Sequence, residues 1–231
     1  MYTYPYPRPS VTSDLIVFAP RESQLYTLLI RRKNPPYQDS WAIPGGFLNE
    51  DETTDRCAVR ELEEETGVRV SDPRLIGIFS DPARDPRGRV ISAAYYALTR
   101  IDGHAPRAND DAAEVKWFPI DQPPSLAFDH KQMLSSAIDK LREHAFYNPI
   151  GISILPEYFD FSELQAIYEA IFGKRIVART LKRKLRKYNF VVKGTESAHS
   201  PKNVSRFFRF DPTAYEYYCK NPFFLDLNEK E

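Results

Sequence analysis

Three glutamates stand at helical spacing within the stretch from Gly46 to Val68: Glu61, Glu64 and Glu65. Side chains at i, i+3 and i+4 share one helix face, so these carboxylates are expected within about 6 Å of each other. Such charges repel one another unless a cation balances them. Mg²⁺ prefers carboxylate and water oxygens and is commonly completed by substrate phosphates. The spacing therefore predicts a divalent-metal site, although an acidic run alone is also typical of a solvated helix face.

The flanking residues favour the metal site. Gly45 and Gly46 precede the helix, and a glycine turn lets a backbone carbonyl approach the carboxylates. Arg60 lies beside the same face and can pair with Glu64 across one helical turn. Gly67 supplies the expected end of the helix.

In full, this stretch resembles the signature of the Nudix hydrolase family, which is a Gly, five residues, a Glu, seven residues, then Arg-Glu-apolar-any-Glu-Glu-any-Gly-apolar. It falls without departure on Gly46, Glu52, Arg60, Glu61, Leu62, Glu64, Glu65, Gly67 and Val68. The resemblance implies hydrolysis of a nucleoside diphosphate linked to another group, with Mg²⁺ or Mn²⁺ as cofactor.

The same resemblance implies roles for individual residues. Glu64 and Glu65 are expected as metal ligands, Glu61 as ligand or base, and the carbonyl of Gly46 as a further ligand. Arg60 is expected to orient the glutamates, so the expected catalytic residues are Glu61, Arg60 and Glu64. A later loop acid supplies a further base in some family members, and three candidates stay open here: Asp110, Asp111 and Glu114.

An arginine-rich loop at residues 80–89 suggests the substrate. It holds Arg84, Arg87 and Arg89, and guanidinium groups bind phosphate oxygens through paired hydrogen bonds. The loop resembles that of the ADP-ribose pyrophosphatases in the family, which makes ADP-ribose or a related nucleoside diphosphate sugar the expected ligand. Arg31 and Arg32, at the end of a predicted strand, are further substrate candidates. A plain charged hairpin loop remains the alternative.

The basic residues concentrate in the last third of the chain. Residues 1–150 hold 18 Lys and Arg against 22 Asp and Glu, whereas residues 174–209 hold 12 basic residues and one acid. At 100° per residue, five cations cover an arc of about 140° on one helix, opposite an apolar face that begins at Val177. These five are Arg179, Lys182, Arg183, Arg186 and Lys187. The following loop adds Lys193, Lys202 and Arg206.

Such a stripe is also compatible with a solvated helix surface. A cationic helix followed by a basic loop is typical of a recognition helix in a DNA major groove with a wing on the backbone. We therefore predict double-stranded DNA as a partner.

The elements that position these residues follow from periodicity and turn chemistry. Strands are predicted at residues 11–18, 24–31, 75–80, 90–98 and 115–118. One helix is predicted between a Thr53 cap and Gly67, and another at residues 129–144. The pattern is α+β, and the family resemblance implies an α/β/α Nudix sandwich with a mixed sheet.

A domain boundary is predicted near residue 147, which divides the chain into residues 1–146 and 147–231. After a short strand within residues 147–156, a helix is predicted from an Asp160 or Ser162 cap to Gly173. A helix at 177–188 and strands at 190–192 and 207–210 follow. Helix, turn, helix and hairpin is the order of a winged helix-turn-helix domain.

The two domains together resemble the Nudix-related transcriptional regulators. The resemblance rests on LAFDHKQML at residues 126–134, on residues 148–173 and on ARTLKRKLRKY at residues 178–188. It implies regulation of transcription in response to ADP-ribose or a sugar. A homodimer is expected, because winged-helix repressors commonly read two half-sites with two-fold symmetry. Many such regulators have lost the signature glutamates, which this chain keeps. A sensor without catalysis and a housekeeping hydrolase without a DNA role stay open as alternatives.

Composition sets the remaining expectations. The chain has 231 residues, 42% of them hydrophobic, which allows a sizeable core in about one large or two modest domains. Cys57 and Cys219 are too few for a disulfide framework. Because neither a secretory signal nor an apolar run of membrane-spanning length is evident, we expect a cytoplasmic protein with no membrane partner.

Overall fold

The computed structural model describes residues 5–101, 107, 112–194 and 206–227. The chain divides into two compact units: residues 1–19 with 26–138, and residues 20–25 with 139–231. The boundary between residues 138 and 139 lies inside a helix that ends at Tyr147. The predicted domain boundary near 147 stays a prediction.

Seven strands of the first part of the chain form one mixed sheet. Hydrogen-bonded neighbours follow the order β3–β2–β1–β6–β5, with β4 paired to β1 and β7 paired to β2. Strand β1 runs parallel to β6 and antiparallel to β4. The strands are β1 (Ser10–Arg21), β2 (Gln24–Arg32), β3 (Trp41–Ala42), β4 (Gly45–Phe47), β5 (Arg74–Phe79), β6 (Val90–Leu98) and β7 (Ala112–Pro119).

Helix α1 (Thr54–Thr66) carries the signature glutamates. Thr53 is its N-cap, and Gly67 ends it in the left-handed region at φ +69°, where a side chain would be strained. Ala58 and Leu62 are fully buried in the cluster that includes Leu15 of β1 and Ala93 of β6. Burial of a leucine side chain contributes roughly 1.5–3 kcal/mol. This packing fixes the rotation of α1, and with it the directions of the glutamates.

Helix α2 (His130–Tyr147) leads into the second part of the chain, whose order is that of a winged helix. This second part of the chain contains α3 (Phe161–Phe172), α4 (Ala178–Arg186), β8 (Val191–Lys193), β9 (Phe208–Phe210) and α5 (Pro212–Lys220). Asp160 caps α3 in a reciprocal capping box with Glu163, and Gly173 ends α3 at φ +63°. Strands β8 and β9 form an antiparallel ribbon.

Two predictions for this part were wrong or incomplete. The strand predicted within residues 147–156 is absent: Tyr147 ends α2, and the amides of Ile154 and Leu155 both donate to the carbonyl of Gly151 in a turn. Helix α5 was not predicted. Its N-cap Asp211 and the proline at its first turn were nevertheless typical start signals.

Aromatic rings form much of the core of the second unit. Phe190 lies between 5.6 and 6.4 Å from the ring centroids of Phe210, Tyr215 and Phe223. Aromatic pairs at such separations add about 0.5–1.5 kcal/mol beyond their buried area. Among the described helices, none is both long and apolar enough to cross a membrane.

Candidate active site and nucleic-acid interface

Arg60 organises the signature helix. Its Nε and Nη2 atoms donate to the two carboxylate oxygens of Glu52 at 3.0 and 2.6 Å, and Nη1 donates to Glu61 at 2.8 Å and to Glu64 at 2.9 Å. These hydrogen bonds lower the pKa of Glu52 to about 2. Glu52 also accepts the amide of Asn49, so it fixes the junction between the glycine turn and the helix.

Glu61 and Glu65 face inward from α1. Glu65 is buried and accepts the amide of Gly45 at 3.0 Å, while burial raises the pKa of Glu65 to about 8. Burial also raises the pKa of Glu61. A methyl group on Gly46 would overlap the Glu61 carboxylate, so only glycine permits this approach.

The three predicted carboxylate ligands are not gathered into one cluster. Among the described residues, no group of three His, Cys, Asp or Glu is arranged to hold a metal ion. Glu64 turns to Arg60, whereas Glu61 and Glu65 line a cavity. The donor chemistry fits a hard cation, because the carboxylates of buried Glu65 and half-buried Glu61 and the backbone carbonyl of Gly46 are the oxygens such an ion prefers.

That cavity has a volume of about 340 Å³ and places cations beside carboxylates. Three of the five predicted substrate arginines line it: Arg32, Arg84 and Arg87. Arg31 and Arg89 are not in its wall. Arg31 pairs with Asp39 and Glu114, and Arg89 donates to the Ser80 carbonyl.

Arg84 and Arg87 are both paired with an aspartate but differ in the exposure of their side chains, which is 4% and 42%. Arg84 is buried and makes two hydrogen bonds to Asp129, at 2.9 and 2.8 Å. Arg87 pairs with Asp85 at 2.7 Å, which raises the pKa of Arg87. The guanidinium carbon of Arg87 also lies 5.1 Å from the Phe47 ring centroid. Arg84 therefore shapes the wall, while Arg87 offers charge beside an aromatic face.

Sequence reasoning missed Phe128. This residue lines the cavity at φ +50°, a strained value for an aromatic residue. The guanidinium carbon of Arg32 lies 5.1 Å from its ring centroid, and that of Arg87 lies 5.7 Å away. Strained residues cluster at functional sites. Only its place in the LAFDHKQML run pointed to it.

Asp14 and His130 form a second missed feature of the cavity wall. His130 Nδ1 accepts the amide of Ile43 at 2.9 Å, which leaves the proton of a neutral ring on Nε2, 3.7 Å from Asp14. Burial lowers the pKa of His130. Asp14 accepts the hydroxyl of Ser92. The signal for Asp14 was a lone charge within a hydrophobic strand.

Of the three candidates for an additional base, Glu114 is the one that the structure describes. Glu114 lies on β7 at 3.8 Å from Arg31, outside the cavity lining. Asp110 and Asp111 lie outside the described residues.

Helix α4 presents the basic stripe. Leu181 and Leu185 are buried, which turns the cationic side outward, whereas Val177 is 66% exposed because it is the N-cap. The predicted apolar face was wrong at that position. A groove of about 790 Å³ is lined by five of the predicted DNA-binding residues: Arg179, Lys182, Arg183, Arg186 and Lys193.

Aromatic rings orient two lysines of this groove. The Lys182 ammonium lies 4.7 Å from the ring centroid of Phe161 and 5.6 Å from that of Phe208, and Lys193 lies 4.2 Å from Phe208. Lys187 lies outside the groove lining, with its ammonium over Tyr188. Arg206 is exposed, and Lys202 falls outside the described residues.

With this geometry in place, comparison with known proteins identifies the family. The NUDIX domain family matches residues 9–137. This chain belongs to the Nudix family. Residues 151–210 match the NrtR DNA-binding winged helix domain, so the predicted order of a Nudix domain and a winged helix is confirmed.

Two relatives cover different lengths of this Nudix protein. The ADPR responsive transcriptional repressor NtrR of Acinetobacter baylyi is 31% identical over 216 residues, which cover 92% of this chain and 86% of the relative. The ADP-ribose pyrophosphatase of Methanocaldococcus jannaschii is 40% identical over 129 residues, which cover 56% of this chain and 73% of the relative.

Solved structures have the same architecture. Shewanella oneidensis NrtR complexed with a 27mer DNA aligns with a TM-score of 0.72 and 27% identity, over 95% of this chain and 99% of that one. The NUDIX domain of the same protein, complexed with ADP ribose, aligns with a TM-score of 0.55 and 30% identity, over 59% and 90%. The predicted α+β Nudix fold with a winged helix is confirmed.

Proposed function

We propose that this chain is a transcriptional regulator whose Nudix domain binds ADP-ribose and whose winged helix binds double-stranded DNA. The observation that carries the proposal is the cavity beside α1, where three arginines stand next to the buried carboxylates of Asp14, Glu65 and Asp85. Two relatives support the choice of ligands. The Acinetobacter baylyi protein is named for its response to ADPR, and Shewanella oneidensis NrtR was solved with DNA and, as its NUDIX domain, with ADP ribose.

The cavity residues suit the parts of ADP-ribose. Arg32, Lys33 and Arg87 carry the positive charge that a pyrophosphate requires. Phe47 is 44% exposed and offers a ring face beside them, as does Phe128. Aromatic faces suit a purine base or a sugar.

We further propose that the Nudix domain hydrolyses ADP-ribose to AMP and ribose 5-phosphate with Mg²⁺ or Mn²⁺. Glu61, Glu65 and the Gly46 carbonyl would hold the cation, joined by Glu64 once it leaves Arg60. A bound cation lowers the pKa of an attacking water and offsets charge on the pyrophosphate oxygens. The water oxygen joins one phosphorus while that phosphorus loses its bond to the bridging oxygen.

A regulator that binds ADP-ribose without turnover is the second candidate. The observation that favours it is the double engagement of Arg60, which holds Glu61 and Glu64 by hydrogen bonds of 2.8 and 2.9 Å. A cation has to compete with this guanidinium for both carboxylates.

AMP release from ADP-ribose with Mg²⁺ separates these two candidates. Wild type should release AMP, and Glu64→Gln should release markedly less. Equal inertness of both proteins, together with measurable ADP-ribose binding by calorimetry, would leave the sensor without catalysis. Absence of ADP-ribose binding would contradict the proposed ligand.

Duplex binding tests the role of the winged helix. A double Lys182→Ala and Arg183→Ala variant should bind duplex DNA more weakly and reduce the salt slope of the affinity by about two. A control removes two cations elsewhere, Lys140→Ala and Lys220→Ala, which pair with Glu143 and Glu216 on exposed helix faces. Equal DNA affinity of the double variant and wild type would contradict the assignment of α4 as the recognition helix. Absence of duplex binding by wild type would favour a hydrolase without a DNA role.

We also propose a homodimer, because winged-helix regulators commonly read two half-sites with two-fold symmetry. Light scattering after size exclusion tests it, and a monomer at micromolar concentration would contradict it. The expected cytoplasmic location remains a prediction.

A further inference from the structure

Glu169 on α3 is a buried carboxylate outside both sites described above. Its side chain accepts three hydrogen bonds: from the Ser23 hydroxyl at 2.8 Å, from the Gln165 amide at 3.0 Å and from the backbone amide of Ile176 at 2.9 Å. These hydrogen bonds, above all the one from the Ile176 amide, lower the pKa of Glu169. The carboxylate is therefore ionised at neutral pH. Hydrogen bonds to an ionised acceptor are roughly twice as strong as neutral ones.

Two of these donors fix the start of α4. Ile176 directly precedes Val177, the N-cap of α4. Gln165 also donates to the carbonyl of Ile176 at 2.9 Å, so α3 holds this residue through both its amide and its carbonyl. Glu169 is therefore placed to set where the basic helix begins.

The third donor comes from far upstream in the sequence. Ser23 lies in the turn between β1 and β2, and residues 20–25, which include this turn, belong to the second compact unit. Glu22 and Ser23 have φ values of +50° and +62°, which residues other than glycine rarely adopt. The turn is therefore held in a costly conformation while Ser23 donates to Glu169.

The two strands on either side of this turn, β1 and β2, also carry cavity residues. Asp14 lies on β1 and Arg32 on β2, and both line the cavity of the Nudix domain. A ligand that changes the position of either strand acts on the turn through the chain itself. Regulation requires such a difference between ligand states, because a ligand that treats both states equally shifts nothing.

We propose that Glu169 is a positioning residue of α4, and that its hydrogen bond from Ser23 transmits the ligand state of the cavity to the basic helix. The inference rests on the proposed function, since it specifies how ADP-ribose alters DNA binding. Glu169 touches neither ligand, and it acts on the placement of α4 through Ile176.

Ser23→Ala in the full chain tests the link. Fluorescence anisotropy would measure affinity for the duplex upstream of the gene, without ADP-ribose and with it at saturation. We expect the DNA affinity without ligand to stay close to wild type. The ratio of the two affinities should fall by about fivefold or more, or reach unity if the wild-type ratio is smaller. A loss of ligand-free affinity with an unchanged ratio would mean a merely structural contact and would overturn the proposal.

Two further variants make the result specific. Glu22→Gln in the same turn is the control, because Glu22 is exposed and its side chain pairs with Arg21; it should keep the wild-type ratio. Glu169→Gln should reduce the ratio, and its effect should not add to that of Ser23→Ala. Additive effects, or a wild-type ratio in Ser23→Ala, would overturn the link. ADP-ribose binding without any effect on DNA affinity in wild type would overturn the link and the regulatory role, but not the ligand.

Discussion

Arg31 and Arg32 are neighbours on β2, and side chains alternate between the two faces of a strand. Arg32 lines the cavity, whereas Arg31 pairs with Asp39 and Glu114 outside it. The sequence predicted both as substrate residues, because two adjacent arginines carry no signal of which one faces the ligand. The sheet register decides between them.

This difference leads to a matched prediction. Arg32→Ala should weaken ADP-ribose binding by about tenfold or more, since a hydrogen bond to a charged group contributes roughly 1.5–3 kcal/mol. Arg31→Ala removes the same charge and should change the affinity by less than about twofold, as expected for an exposed ion pair. Isothermal titration calorimetry measures both. Equal losses in the two variants would contradict the assignment of the cavity as the ligand site.

Gly45 and Gly46 give a second matched pair at the residue scale. A methyl group on Gly45 would lie 2.8 Å from the Cα atom of Asp14, so the backbone would have to move. We expect Gly45→Ala to lower the free energy of unfolding by about 1–3 kcal/mol, as overpacking does. On Gly46 the methyl group meets the end of the Glu61 side chain instead of backbone atoms.

Gly46→Ala should therefore cost less stability but displace the Glu61 carboxylate. Urea unfolding should rank Gly45→Ala as the less stable variant, and AMP release should be largely lost in Gly46→Ala although that protein remains folded. Full activity of Gly46→Ala would show that the position of Glu61 does not matter for hydrolysis.

At the scale of elements, the end signals were the reliable part of the sequence. Gly67 and Gly173 end α1 and α3 in the left-handed region, and Asp160, one of the two predicted caps, is the N-cap of α3. Strands β3 and β4 were not predicted, because two or three residues around Pro44 show no periodicity. They form only through pairing with β2 and β1. Phe128 and Asp14 could not be connected to the site for the same reason, since only the folded sheet and its loops bring them together.

The Asp160 cap predicts a pH dependence. The backbone amide of Ser162 lowers the pKa of Asp160, so the folded pKa lies below the unfolded value of about 3.9. The stabilisation by the ionised cap is fully present above that unfolded value and is lost as pH falls through the folded pKa. Asn caps helices about as well as Asp but does not titrate.

Asp160→Asn should therefore gain stability relative to wild type as the pH is lowered from about 6 to about 2. Urea unfolding at several pH values measures the difference between the two proteins. Asp139→Asn, at an exposed position of α2, is the control and should show a smaller change. A difference that stays constant over this pH range would mean that the charge of Asp160 does not contribute to the cap.

At the scale of the whole molecule, linkage constrains any regulation. If ADP-ribose changes DNA affinity by some factor, DNA must change ADP-ribose affinity by the same factor, typically about 5- to 150-fold. Calorimetry with Glu64→Gln, with and without saturating duplex, measures this factor without turnover. An ADP-ribose affinity that is indifferent to duplex would contradict coupling between the two sites.

The assignment of residues 20–25 to the second compact unit has a consequence for exchanging domains between relatives. The second compact unit is not one uninterrupted stretch of its gene, because it includes these residues from the beginning of the chain. A chimera that joins residues 139–231 to an unrelated Nudix domain would leave Glu169 without the Ser23 hydroxyl. To keep this hydrogen bond, an exchange of the DNA-binding domain between relatives has to transfer the turn between β1 and β2 as well. Alternatively, the recipient Nudix domain must already have a hydroxyl donor in its own turn.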